Sequence, residues 1–114
     1  MAAATISSPP GPDWTVIRVA GELDLAGAAP LHDTLLRLVL SGRRQLIIDV
    51  SEVAFCDLSG FSVLADTRRV LSRYGGHLRV VLPPAGGRVH RTLTVLGFDT
   101  AFQVFPDLPA ALAT

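Results

Sequence analysis

Val53-Ala-Phe-Cys-Asp-Leu-Ser-Gly-Phe-Ser-Val-Leu-Ala-Asp-Thr-Arg-Arg-Val-Leu-Ser-Arg-Tyr74 begins as an apolar stretch without helical period and acquires one after Asp57. Ser62, Asp66, Arg69 and Arg73 follow at spacings of four, three and four and form one polar face, while Val63, Leu64, Val70, Leu71 and Tyr74 supply the buried side. Gly75-Gly76 offers the left-handed positions that end a helix. Ser59 is therefore expected at a helix mouth, where unpaired backbone N–H groups and the helix dipole favour an anion such as phosphate. Both Ser59 and Asp57 are residue types that cap a helix; if Asp57 is the cap, the Ser59 hydroxyl stays free.

Upstream, Gln-Leu-Ile-Ile-Asp-Val over residues 45–50 is too short and too uniformly apolar for a helix and predicts a central strand covered by helices, with residues 51–56 as the loop that follows. Leu31, Leu35, Leu38 and Val39 predict a helix over about residues 28–40, with Pro30 in its first turn and Ser41-Gly42 at its end. The β-rich run over residues 14–20 predicts a strand, Gly21 a turn, and Glu22 and Asp24 a strand-to-helix connection in which Asp24 either caps the helix or meets a partner. Residues 1–12, small and ending in Pro9, Pro10 and Pro12, read as a flexible lead-in with a short edge strand near residues 5–7. Downstream, residues 77–82 predict a strand with Leu78, Val80 and Leu82 on one face, stopped by Pro83-Pro84. A helix follows over residues 88–96 with Val89, Leu93 and Leu96 inward, closed by Gly97, then a strand over 101–105 and a last helix over 108–113 that packs Leu108 and Leu112. This alternation predicts an α/β domain over residues 13–114, its sheet mostly parallel after the first strands, with functional loops at the carboxyl ends of the strands. Asp24 and Ser59 then share one rim.

Composition narrows the chemistry. At 114 residues the chain is one domain, long enough to bury well over half of its unfolded surface. Ten acidic and ten basic residues cancel, which removes the basic field that nucleic-acid binding needs and points to a protein partner. All the basic residues are arginine, so no lysine is available for Schiff-base or P-loop chemistry. Cys56 is the only cysteine, which excludes an intrachain disulfide and suits a buried small hydrophobe in a reducing compartment. His32, His77 and His90 lack metal-ligand spacing and read as surface or satisfied residues; no metal or cofactor is expected. Neither Gly-x-Ser-x-Gly nor a phosphate-cradling glycine loop is present, and no histidine is placed near Ser59 by sequence, so no catalysis is expected. The N-terminus has no basic and apolar targeting pattern, and no stretch reaches the roughly 18 apolar residues of a membrane span. A cytoplasmic protein without membrane insertion is the expectation.

Four segments together carry a resemblance: Val-Ala-Gly-Glu-Leu-Asp over residues 19–24, Leu-Ile-Ile-Asp-Val-Ser over 46–51, Val-Ala-Phe-Cys-Asp-Leu-Ser-Gly-Phe-Ser-Val-Leu over 53–64 and Arg-Thr-Leu-Thr-Val-Leu-Gly-Phe-Asp over 91–99. In order and spacing they resemble the STAS domain of bacterial anti-sigma factor antagonists over nearly the whole chain. The resemblance implies a mixed sheet of four to five strands covered by about four helices. It implies a partner-switching role in transcription regulation: binding an anti-sigma factor of serine-kinase type, which phosphorylates the serine before the glycine, with a PP2C-type phosphatase reversing the step. Ser59 matches that phosphoacceptor. Asp24 matches an acidic position in the family's partner-binding loop and Asp57 the acidic residue preceding the phosphoacceptor, and with Leu58, Gly60, Ser62, Asp66 and Arg69 they make up the expected partner-binding patch. Leu58 stands where the family often has a serine, and Phe61 where it has a leucine. Similar single domains also dock on the ATPase of ABC-type lipid transporters or act as non-phosphorylated scaffolds, which gives two alternative roles.

Overall fold

The computed structural model describes residues 3–7 and 14–113. Its elements run β1 (Ala3–Ser7), β2 (Thr15–Leu23), α1 (Leu25–Leu40), β3 (Gln45–Cys56), α2 (Leu58–Arg73), β4 (His77–Val81), α3 (Arg88–Leu96), α4 (Phe98–Ala101), β5 (Gln103–Phe105) and α5 (Leu108–Leu112). The five strands form one sheet in the order β1-β2-β3-β4-β5. β1 pairs antiparallel with β2, and every later pair is parallel. The rest of the expected lead-in, residues 1–2 and 8–12, lies outside the described residues.

The two faces of the sheet follow from alternation along the strands. Ile17, Val19, Leu46, Ile48, Val50, Leu78 and Val80 join the main core with Leu31, Leu35 and Val39 of α1, Val63, Leu64 and Leu71 of α2, Leu93 of α3 and Phe98 of α4. The intervening Val16, Ile47 and Val81 face the other way, onto Ala111 of α5, with Trp14, Phe105, Leu108 and Leu112 around them. Helices α1 to α4 thus lie on one face, as right-handed crossovers between successive parallel strands require, and among the described helices α5 covers the other. Each aliphatic side chain fully buried in this way contributes about 1.5–3 kcal/mol.

Several expectations needed correction, each for a physical reason. β3 does not stop at Val50: residues 51–56, expected as a loop, continue the strand, because β2 extends beside them with the partners Ala20↔Glu52, Gly21↔Val53, Glu22↔Phe55 and Leu23↔Cys56. Two register irregularities and the positive φ of 90° at Gly21 interrupt the alternation there, so the sequence shows no period of two. Gly21 therefore kinks a strand instead of ending it. Tyr74, placed in the buried face of α2, is the C-cap residue, exposed and stacked against the Arg44 guanidinium at 4.6 Å. The strand expected over residues 101–105 begins at Gln103, since one turn of helix at Phe98–Ala101 buries Phe98 against Phe61 and Phe102 with ring centroids 5.5 and 5.3 Å away. α1 also starts earlier than expected, at Leu25, directly after its cap.

Candidate functional site

The carboxyl ends of β2 and β3 bring the starts of α1 and α2 to the same rim, and both helices begin in the same way. Asp24 accepts a hydrogen bond from the Gly27 amide at 2.9 Å, and Asp57 accepts one from the Ser59 amide at 2.8 Å. Each acidic residue is thus an N-cap, with extended backbone, satisfying one of the amides that a helix start leaves unpaired. Each is followed by an exposed leucine: Leu25 is 77% and Leu58 63% exposed. The repeated Asp-Leu pair at 24–25 and 57–58 was the sequence signal that could have nominated Leu25 beside Leu58.

The seat of α2 is set by close packing below the rim. The Asp57 amide donates to the Leu23 carbonyl at 3.3 Å, tying the start of α2 to the end of β2. Gly60 is buried there; a Cβ on it would stand 2.8 Å from Cys56 Sγ and 2.9 Å from Leu23 Cβ. Of the residues expected to meet a partner, Gly60 therefore acts from beneath, by letting the helix approach the strand. Cys56 is buried, and its thiol donates to the Asp57 carbonyl at 3.4 Å. Burial, with a smaller contribution from the Asp57 charge, pushes the thiol pKa up to about 11, which keeps it protonated and unreactive.

Ser59 lines a groove of about 410 Å³ between α1 and α2, with Leu25, Ala28, Ala29, His32, Asp33, Ser62 and Val63 as its other walls. Because Asp57 does the capping, the Ser59 hydroxyl is left to this groove, half-buried and bonded to no other described residue. Further along, Phe61, Ser62, Asp66, Arg69 and His32 border a second depression of about 490 Å³. His32 Nε2 lies 2.9 Å from Asp66 Oδ2, joining α1 to α2, and Arg69 on α2 meets the other Asp66 oxygen at 2.8 Å. Ser59, Ser62, Asp66 and Arg69 are thus brought onto one continuous surface, with Asp24, Asp57 and Leu58 at its rim. His32 was missed as a member: its partner lies 34 residues away, and no local pattern announces the pair.

Among the described residues no three His, Cys, Asp or Glu side chains gather as metal ligands, and no helix is long and apolar enough to cross a membrane. The arrangement offers a serine hydroxyl not used in capping and a groove between two helix starts.

Comparison with known proteins agrees with this geometry. The chain is 30% identical over 97 residues to the anti-sigma-F factor antagonist RsfB of Mycobacterium tuberculosis, a match spanning 85% of this chain and 77% of RsfB. The crystal structure of an anti-sigma factor antagonist from Mycobacterium paratuberculosis superposes with a TM-score of 0.83 at 27% identity, covering 99% of this chain and 92% of that one. The phosphorylated form of the Bacillus cell fate determinant SpoIIAA shares the fold, with a TM-score of 0.67 at 18% identity over 92% of this chain and 93% of its own. A family model described as "Mlab, STAS domain" matches residues 11–108, and the chain belongs to the STAS domain family.

Proposed function

We propose that this protein is a cytoplasmic anti-sigma factor antagonist without catalysis of its own. It binds an anti-sigma factor of serine-kinase type through the rim where α1 and α2 begin, and phosphorylation of Ser59 by that partner switches the binding off. The observation that carries this reading is the free Ser59 hydroxyl: Asp57 holds the Ser59 amide at 2.8 Å and performs the capping, so the serine side chain remains available at the groove. The likeness to RsfB supports the partner class.

The physical consequences of the modification follow from its place. A phosphate brings about −1.5 to −2 charge at neutral pH. At the second residue of α2 it lies within reach of the helix dipole, worth about 0.3–1 kcal/mol at an exposed site, so the phosphorylated domain stays folded. The same charge falls on a surface shared with Leu58, Ser62, Asp66 and Arg69 and flanked by Asp24 and Asp57, where it alters what a partner meets without refolding the domain. A PP2C-type phosphatase resets the switch.

Incubation with ATP and the serine-kinase anti-sigma factors of the same cell, followed by mass spectrometry, tests the reading. One phosphate on Ser59, absent from Ser59→Ala, is the expected result, and Ser59→Ala should stay bound whether or not ATP is present. A complex that forms while Ser59 remains unmodified would leave a scaffold, and capture of an ABC ATPase in place of a kinase would assign the transporter role; either result overturns the proposal.

A further inference from the structure

We infer that the partner grips this rim mainly through two leucines, Leu25 and Leu58, and that the part of the anti-sigma factor receiving them is an apolar segment. The inference rests on the binding role proposed above and specifies the chemistry of the partner surface.

The argument begins with the charges. The two capping carboxylates at the rim are turned onto their own chain, Asp24 onto the Gly27 amide and Asp57 onto the Ser59 amide. Further along, Asp66 is shared between His32 and Arg69. What the two helix starts hold out to the solvent is the pair of leucine side chains, 77% and 63% exposed. Neither helps to fill the main core, so their large apolar surface stays wet in the free protein. Leu25 also forms one wall of the Ser59 groove, where Ala28, Ala29 and Val63 give apolar surface beside the polar His32, Asp33 and Ser62. An apolar occupant matches the two leucines and the aliphatic part of this groove, while Asp33 stays exposed at its edge. Ser59 opens into the same groove as Leu25, so a phosphate there brings a hydrated dianion into the contact that the leucines make dry. Release then comes from wetting an apolar contact, and needs no carboxylate on the partner.

Titration calorimetry with the purified serine-kinase anti-sigma factors of the same cell tests the inference. Leu25→Gln and Leu58→Gln should each weaken binding on the order of tenfold or more. Val95→Gln, which removes an equally exposed apolar side chain from α3, should leave the affinity unchanged. Raising the salt from about 0.05 M to about 0.5 M should change the affinity less than about threefold, since screening acts on charge pairs. Thermal melts confirm that the variants fold. Wild-type affinity in both leucine variants, or a loss of about thirtyfold or more with salt, would overturn the inference while the binding role stands. A wild-type protein that binds none of these kinases overturns both. A dimer of this chain that Leu58→Gln dissolves would show that the leucines serve a second copy instead.

Discussion

Asp57 holds the amide of Ser59 at 2.8 Å, so the residue that ends the β3 connection fixes the first turn of α2 and releases the serine from that duty. Asp24 stands in the same relation to Gly27 at the start of α1. Replacing either aspartate with alanine should cost about 0.5–2 kcal/mol in urea unfolding, while asparagine, which caps nearly as well, should recover most of the loss. An equal loss for alanine and asparagine at position 57 would mean that the charge, and not the capping hydrogen bond, matters there.

Gly60→Ala sets two effects against each other. Alanine gains at most about 1 kcal/mol of helix propensity over glycine. Its Cβ would meet Cys56 Sγ at 2.8 Å, Leu23 Cβ at 2.9 Å and the Leu23 carbonyl oxygen at 3.2 Å, and the two Leu23 atoms cannot swing aside. Overpacking of this kind costs about 1–3 kcal/mol, so the clash should win and the variant should be less stable. Because the strain sits under the first turn of α2, amide exchange at residues 58–61 should rise more than at α3.

The His32–Asp66 contact joins α1 to α2, yet the two side chains are 37% and 43% exposed. At that exposure a pair is worth roughly 0.2–1 kcal/mol. A double-mutant cycle with His32→Ala and Asp66→Ala should give a coupling in that range at low salt and a smaller one at high salt. A coupling above about 2 kcal/mol would show that the cluster holds the helices together instead of decorating them.

Cys56 makes the fold sensitive to alkali. Its thiol is raised from 9.0 to about 11 in the folded state, so the unfolded chain gives up this proton first. The contribution is fully present below about pH 9 and is lost as the pH rises toward 11, on the order of 2 kcal/mol in all. Cys56→Ala should flatten that part of the stability profile. In the native protein at pH 8 the thiol should react with alkylating agents far more slowly than in urea; equal rates would contradict the burial seen here.

How much of this was legible in the sequence depends on the range of the interactions involved. α2 and α3 could be read from their apolar spacing, because a periodic face of nine or more residues carries its own evidence. The position of Ser59 at a helix start was legible for the same reason. The second half of β3 was not, since its pairing with β2 passes through two irregularities that erase the alternation. α4, four residues long, is too short to leave a periodic trace and exists to seat Phe98 among other rings. At the site, the local pair Asp57–Ser59 was readable as a capping choice, whereas the approach of Gly60 to Leu23 and of His32 to Asp66 belongs to the tertiary fold alone.

The order of the sheet has a consequence for how the molecule is made. Every strand lies beside the one that precedes it in the chain, so no strand waits for a later one to be inserted between its neighbours. β2, α1, β3 and α2, which build the whole Ser59 rim, are complete by Arg73. As the chain leaves the ribosome from its N-terminus, these four elements can pair in turn, with short loops to close at each step. The Ser59 groove is thus assembled before β4 and β5 are synthesised, and the later strands and helices are added onto a half-built sheet that already carries it.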